Sequence, residues 1–149
     1  MTGTGIHALD AMIRVAGPAR RVQALMLSHR PAPDPLDTIS VLLEFRSGVS
    51  GMLAAVRSTP LFWRIHVFGR DGSAEALGRT ELVLRRSGEK LQRLAFPEID
   101  LVRANLEAFA DAVAGTAPYP IGTGEMVDVV AAFEAIALAT ASDGRVREV

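Results

Sequence analysis

A chain of 149 residues fits one domain with a packed interior, and 49% apolar against 22% charged residues is the balance of a folded protein, not a disordered one. Sixteen basic residues face seventeen acidic ones, and the resulting net charge of −1 offers no general field for nucleic acid or an acidic membrane surface. The lack of cysteine excludes disulfides, thiolate nucleophiles and Cys-ligated zinc together.

The N-terminal MTGTGIHALDAMI has neither the basic start nor the apolar run of an export signal, and no stretch reaches the roughly 18 apolar residues of a membrane span. The expectation is a cytoplasmic protein. Ile6, Leu9, Ile13 and Ala16 recur at three and four residues and predict an amphipathic helix over 5–16, stopped by Gly17-Pro18. From Arg20 to about His29 the pattern becomes extended, with Val22, Ala24 and Met26 on one side and Gln23, Leu25 and Leu27 on the other. The proline-rich RPAPDPLD then breaks any ladder.

Thr38 to Arg46 and Gly51 to Arg57 read as a hairpin around Ser47-Gly48-Val49-Ser50, with Val41, Leu43 and Phe45 on one face. Trp63 to Phe68 and Ser73 to Leu77 flank Gly69-Arg70-Asp71-Gly72, where Asp-Gly supplies a tight turn. Glu81 to Arg86 and Lys90 to Phe96 make a third pairing. The arginine pairs Arg20-Arg21 and Arg85-Arg86 are read as solvated strand ends. After Pro97, Val102, Leu106, Phe109 and Val113 mark a helix ending at Gly115. Thr123 then caps a last helix whose stripe is Met126, Val130, Phe133 and Ala137, running to Ser142-Asp143-Gly144.

This order predicts an α+β fold, a largely antiparallel open sheet with helices packed on one face. The opposite face carries Leu42, Ala54, Val56 and Phe68 where a solvated sheet would show charges, so it is expected to be free for a second chain or domain, the alternative being a sheet that curls and buries part of both faces itself.

Several chemistries lack their parts. Thr2-Gly3-Thr4-Gly5 is no dinucleotide fingerprint, because no strand precedes it, no third glycine follows and no acidic residue closes a second strand. No metal is expected: His7, His29 and His66 are isolated in sequence, and no H-E-x-x-H or G-x-S-x-G occurs. His7 and Asp10 are the one histidine and carboxylate at helical spacing.

The chain resembles the C-terminal domain of the Gfo/Idh/MocA family of NAD(P)-dependent sugar and polyol dehydrogenases over essentially its whole length. The resemblance is carried by Gly5-Ile6-His7-Ala8-Leu9-Asp10, by Asp37-Thr38 leading into VLLEFRSGVSGMLAA, by Trp63-Arg64-Ile65-His66-Val67-Phe68-Gly69 with Asp71-Gly72-Ser73, and by Phe109-Ala110-Asp111-Ala112-Val113 with Pro118-Tyr119-Pro120. It implies a GAPDH C-terminal-domain-like sheet and an oxidoreductase whose N-terminal Rossmann domain is absent here. Residues 1–149 are then the substrate-binding and oligomerisation domain, forming a homodimer or tetramer through the free sheet face, with a small carbohydrate-like substrate and no turnover in isolation. NAD or NADP is implied for the full-length protein, none for this domain alone.

The family's catalytic histidine corresponds to His7, whose imidazole suits a base that takes a hydroxyl proton as hydride leaves. Asp10, Asp37, Trp63 and Arg64 are the candidate substrate-binding residues. Many relatives carry aspartate four residues before the histidine, where this chain has Gly3. The alternative is a non-catalytic oligomeric scaffold or small-ligand-binding module. A hydrolase built on His7 and Asp10 ranks last, since no nucleophile accompanies them.

Overall fold

In chain order the elements are α1 (Thr4–Ala16), β1 (Ala19–Leu27), β2 (Thr38–Phe45), β3 (Ser50–Val56), β4 (Arg64–Gly69), β5 (Gly72–Leu77), β6 (Glu81–Arg86), β7 (Gln92–Ala95), α2 (Leu101–Ala114), α3 (Thr123–Thr140) and β8 (Arg147–Glu148). They come from a computed structural model that describes residues 4–28, 31, 36–57, 59–60 and 62–149. The chain divides into two units, Met1–Phe62 with Thr123–Val149, and Trp63–Gly122.

The first unit is a four-stranded antiparallel sheet, in the order β3-β2-β1-β8, packed against α1 and α3. Alternation decides its faces. Val22 and Ala24 of β1, Ile39, Val41, Leu43 and Phe45 of β2, and Leu53 of β3 are buried with Leu9 and Ile13 of α1. Each large side chain so buried contributes about 1.5–3 kcal/mol. Gly17, at φ 88°, turns the chain out of α1 into β1. The two arginines at the start of β1 both reach one carboxylate: Arg20 Nη1 lies 3.2 Å from Glu44 Oε1 and Arg21 Nε donates to Glu44 Oε2 at 2.9 Å.

Two expectations for this unit need correction. The stripe Met126, Val130, Phe133 and Ala137 is not the packed face of α3: Val130 is 64% exposed and Met126 and Ala137 are exposed too, while Val129, Ala132, Ala135, Ile136 and Ala139 are buried. The helix is apolar nearly all round, so periodicity could not choose a side. Close approach did, because Ala132 and Ala139 let the backbone settle onto β1. The two-residue β8, which pairs Arg21 with Glu148 and Val22 with Arg147, is also absent from the sequence reading.

The second unit holds the other antiparallel sheet, β4-β5-β6-β7. The strands expected to form one open sheet thus form two, and Pro60, which has no N–H to donate, lies in the segment between β3 and β4. Gly72 is fixed by close approach: a Cβ there would stand 2.0 Å from the carbonyl oxygen of Arg85. Helix α2 is capped at both ends, by the Asp100 side chain accepting from the N–H groups of Val102 and Arg103 and by Gly115 in the left-handed region at φ 73°. None of its residues is buried. Helices α1 and α3 pack on the first sheet, as expected.

Candidate functional site

Leu9 and Ile13 anchor one side of α1 in the first core, and that anchoring presents His7 to solvent while Asp10 is half-buried. The two lie three residues apart, about 60° around the helix, so they share one side of it. Among the described residues neither side chain engages in a hydrogen bond or ion pair. The last turn of α1 is tied to α3 by Arg14 Nη1, 3.3 Å from Glu125 Oε1. Gly3 and His29 lie outside the described residues.

Asp37 is 8% exposed and joins three strand ends. Its N–H donates to the Leu27 carbonyl at 3.2 Å, its carbonyl accepts from the Arg57 N–H at 2.8 Å, and its Oδ1 accepts from the Thr38 hydroxyl at 2.9 Å. The backbone of Asp37 thus ties the ends of β1 and β3 together, while its carboxylate bonds the neighbouring Thr38 hydroxyl.

Trp63 and Arg64 belong to the second unit. Trp63 is half-buried at the entry to β4, where its carbonyl accepts from the Gly78 N–H at 2.9 Å. Arg64 Nη1 lies 3.5 Å from Glu75 Oε1, and Arg85 Nη1 lies 3.0 Å from Glu75 Oε2. A carboxylate only 6% exposed is thus held between two guanidiniums. His66 sits directly across from Glu75 in the β4–β5 ladder, its ring 4.0 Å from that of Phe68, and its Nε2 is buried without a hydrogen-bond partner among the described residues.

This charged group was not singled out from the sequence. The Asp71-Gly72 turn carried the signal, because the register it sets places His66 opposite Glu75 and, through β6, Arg85 opposite Ser73. Beside it lies a shallow concavity of about 380 Å³ lined by Phe68, Arg70, Asp71, Ser73, Arg85 and Arg86 together with backbone of the turn. No sequence-predicted site residue lines it. The structure therefore brings together His7 with Asp10, and Trp63 with Arg64, and leaves Asp37 with its own strand ends. No cluster of described residues has the composition of a metal site, and none of the helices is long and apolar enough to cross a membrane.

A family model for the GFO/IDH/MocA C-terminal domain matches residues 1–75. No curated protein matches the chain. Among solved structures, it is similar to an oxidoreductase from Agrobacterium radiobacter in complex with NAD+, L-tartaric acid and magnesium, at 18% identity and a TM-score of 0.79 over 97% of this chain and 47% of that one. It is similar also to UDP-N-acetylglucosamine 3-dehydrogenase from Acidithiobacillus ferrooxidans, at 21% identity and 0.80 over 93% and 46%. A third is aldose-aldose oxidoreductase from Caulobacter crescentus complexed with glycerol, at 21% and 0.79 over 97% and 46%. At these identities the likeness establishes the fold. The chain spans about half the length of the structures it matches.

Proposed function

The chain belongs to the GFO/IDH/MocA C-terminal domain family, and on that premise we propose that it is the substrate-holding and oligomerising half of an NAD(P)-dependent sugar or polyol dehydrogenase. The family is one of two-domain oxidoreductases in which an N-terminal domain accompanies this one. Three neighbours support that reading: one acts on an aldose, one on a nucleotide-linked amino sugar, and one was solved with a hydroxy acid and NAD+.

The residues of this chain do not fit the dinucleotide itself. Its phosphates need a glycine-rich turn between a parallel strand and a helix N-terminus. Both sheets are antiparallel, and no strand precedes α1 among the described residues. The cofactor is accordingly assigned to the N-terminal domain, and this chain's share of the chemistry is the proton.

Oxidising an alcohol carbon releases a hydroxyl proton along with the hydride, and a base within hydrogen-bond reach lowers the barrier for its loss. His7 is that base in this reading. Its imidazole is exposed, engaged by no other described group, and set on a helix whose opposite side is locked in the core. Asp10, on the same side, accepts a hydrogen bond from the imidazole or from a second substrate hydroxyl. Arg64 is paired with Glu75 and Asp37 is buried, so the proposal rests on His7 and Asp10.

The open sheet face of the first unit is the proposed contact with a second copy. Leu25, Leu27, Leu42, Met52 and Val56 are all exposed there, and the ladder puts Leu42 beside Met52. The observation that carries the functional reading is the family match over the segment that contains α1, with His7 presented to solvent.

Nuclear magnetic resonance titration of the chain with a panel of aldoses and polyols tests it. Saturable shifts at His7 and Asp10 are expected for at least one class. A panel that moves no resonance of α1, or moves only the second unit, contradicts it.

A further inference from the structure

We propose that the apolar stripe of α2 is the docking surface for the N-terminal, cofactor-carrying domain, an inference that rests on the two-domain reading above. Val102, Leu106, Phe109 and Val113 are 58–73% exposed and follow one another at four, three and four residues, so they form a single ridge along the helix. A helix of 14 residues is marginal in water without packing. Yet α2 is built to persist, with Asp100 and Gly115 capping its ends and Arg103 Nε held 2.7 Å from Glu107 Oε1 on its flank. Tyr119 steadies its other flank, donating to Asn105 Oδ1 at 2.6 Å and meeting the Phe109 ring edge-on at 6.3 Å. No α2 residue is buried, and the ridge stays exposed apart from the Tyr119 ring against Phe109.

The exposed area points to a tethered domain over a second copy. Four side chains at these exposures present on the order of 500 Å². Two such ridges laid together bury about 1,000 Å² in total, below the roughly 1,200–2,000 Å² of stable association between separate molecules. The same area lies within the roughly 600–1,500 Å² typical of contacts between domains of one chain, where the linker supplies effective concentration. The solved relatives have that second domain's length: the chain aligns over 97% of itself yet covers only 46% of the Caulobacter protein.

The test joins the 149-residue chain behind the N-terminal half of the Caulobacter oxidoreductase and follows amide hydrogen exchange in the fusion and in the chain alone. At least tenfold slower exchange across 101–114 is expected in the fusion. The double substitution Leu106→Asp with Phe109→Asp should return it to the rate of the isolated chain. In the isolated chain the same pair should leave helix content and the mass by light scattering unchanged. If that pair turns an oligomer of the isolated chain into a monomer, the ridge serves a second copy and the proposal is overturned. If the fusion binds NAD(H) or NADP(H) and slows exchange elsewhere in the chain but not in α2, the proposal falls and the two-domain reading stands. A fusion that slows exchange nowhere in this chain sinks both.

Discussion

Two glycines separate a clash that the structure can absorb from one that it cannot. An added Cβ at Gly51 would stand 2.6 Å from Met12 Cε, the free end of a flexible side chain, and 3.1 Å from Phe45 Cε2. At Gly72 it would stand 2.0 Å from a backbone oxygen, that of Arg85, which can move only if β5 and β6 part. Overpacking that side chains can relieve costs about 1–3 kcal/mol, so Gly51→Ala should fall near the lower end. Gly72→Ala should exceed the upper end, at about 3 kcal/mol or more, because ladder bonds are lost as well.

The single tryptophan, Trp63, reports the second unit. With a urea dependence of about 1 kcal/mol per M for a unit of this size, Gly72→Ala should lower the midpoint of the Trp63 fluorescence transition by about 3 M or abolish it, while Gly51→Ala moves it little. A Gly72→Ala midpoint within about 0.5 M of the parent, or a larger effect from Gly51→Ala on the same signal, refutes the account of the β5–β6 approach.

Other substitutions probe the remaining parts. His7→Ala should change thermal stability by no more than about 0.5 kcal/mol, as expected of an exposed side chain away from packing, while removing the α1 shifts in the sugar titration. A stability loss above about 2 kcal/mol would mark a structural histidine instead. Glu75→Ala should destabilise the second unit by about 1–3 kcal/mol, since it leaves two half-exposed arginines facing each other with no carboxylate between them. Glu75→Gln should recover part of that loss in the same urea titration. Asp100→Ala removes the α2 cap and should cost that helix about 1 kcal/mol, read as faster exchange over 101–114 with α1 unaffected.

Strong local signals made much of the fold legible. Gly69-Arg70-Asp71-Gly72 marked a hairpin that the structure forms, Gly17 and Gly115 ended helices where their positive φ is needed, and the alternation of Val41, Leu43 and Phe45 identified the buried face of β2. Where the pattern was uniform it gave no direction. Helix α3, apolar on nearly every side, packs through its alanines, and only the approach of β1 distinguishes that side. The pairing of Arg21 with Glu148 brings together residues 127 positions apart, beyond the reach of local pattern. The division into two sheets followed from the break between β3 and β4, which prolines elsewhere in the chain made easy to overlook.

The site was legible to a different degree. The resemblance singled out His7 and helical spacing put Asp10 near it, while the burial of Leu9 and Ile13 leaves His7 facing out. The hydrogen bonds of Asp37 and the ion pair of Arg64 depend on neighbours that only the folded ladders supply. Glu75 was missed although the turn already placed it opposite His66, because a lone glutamate in a strand reads as solvated until the arginines on both adjoining strands are counted.

Calorimetric titration of NADH and NADPH into the 149-residue chain tests the central claim most directly. A domain that leaves the dinucleotide to its partner should give no saturable heat up to millimolar concentration. A micromolar dissociation constant, abolished by a substitution within this chain, would contradict it.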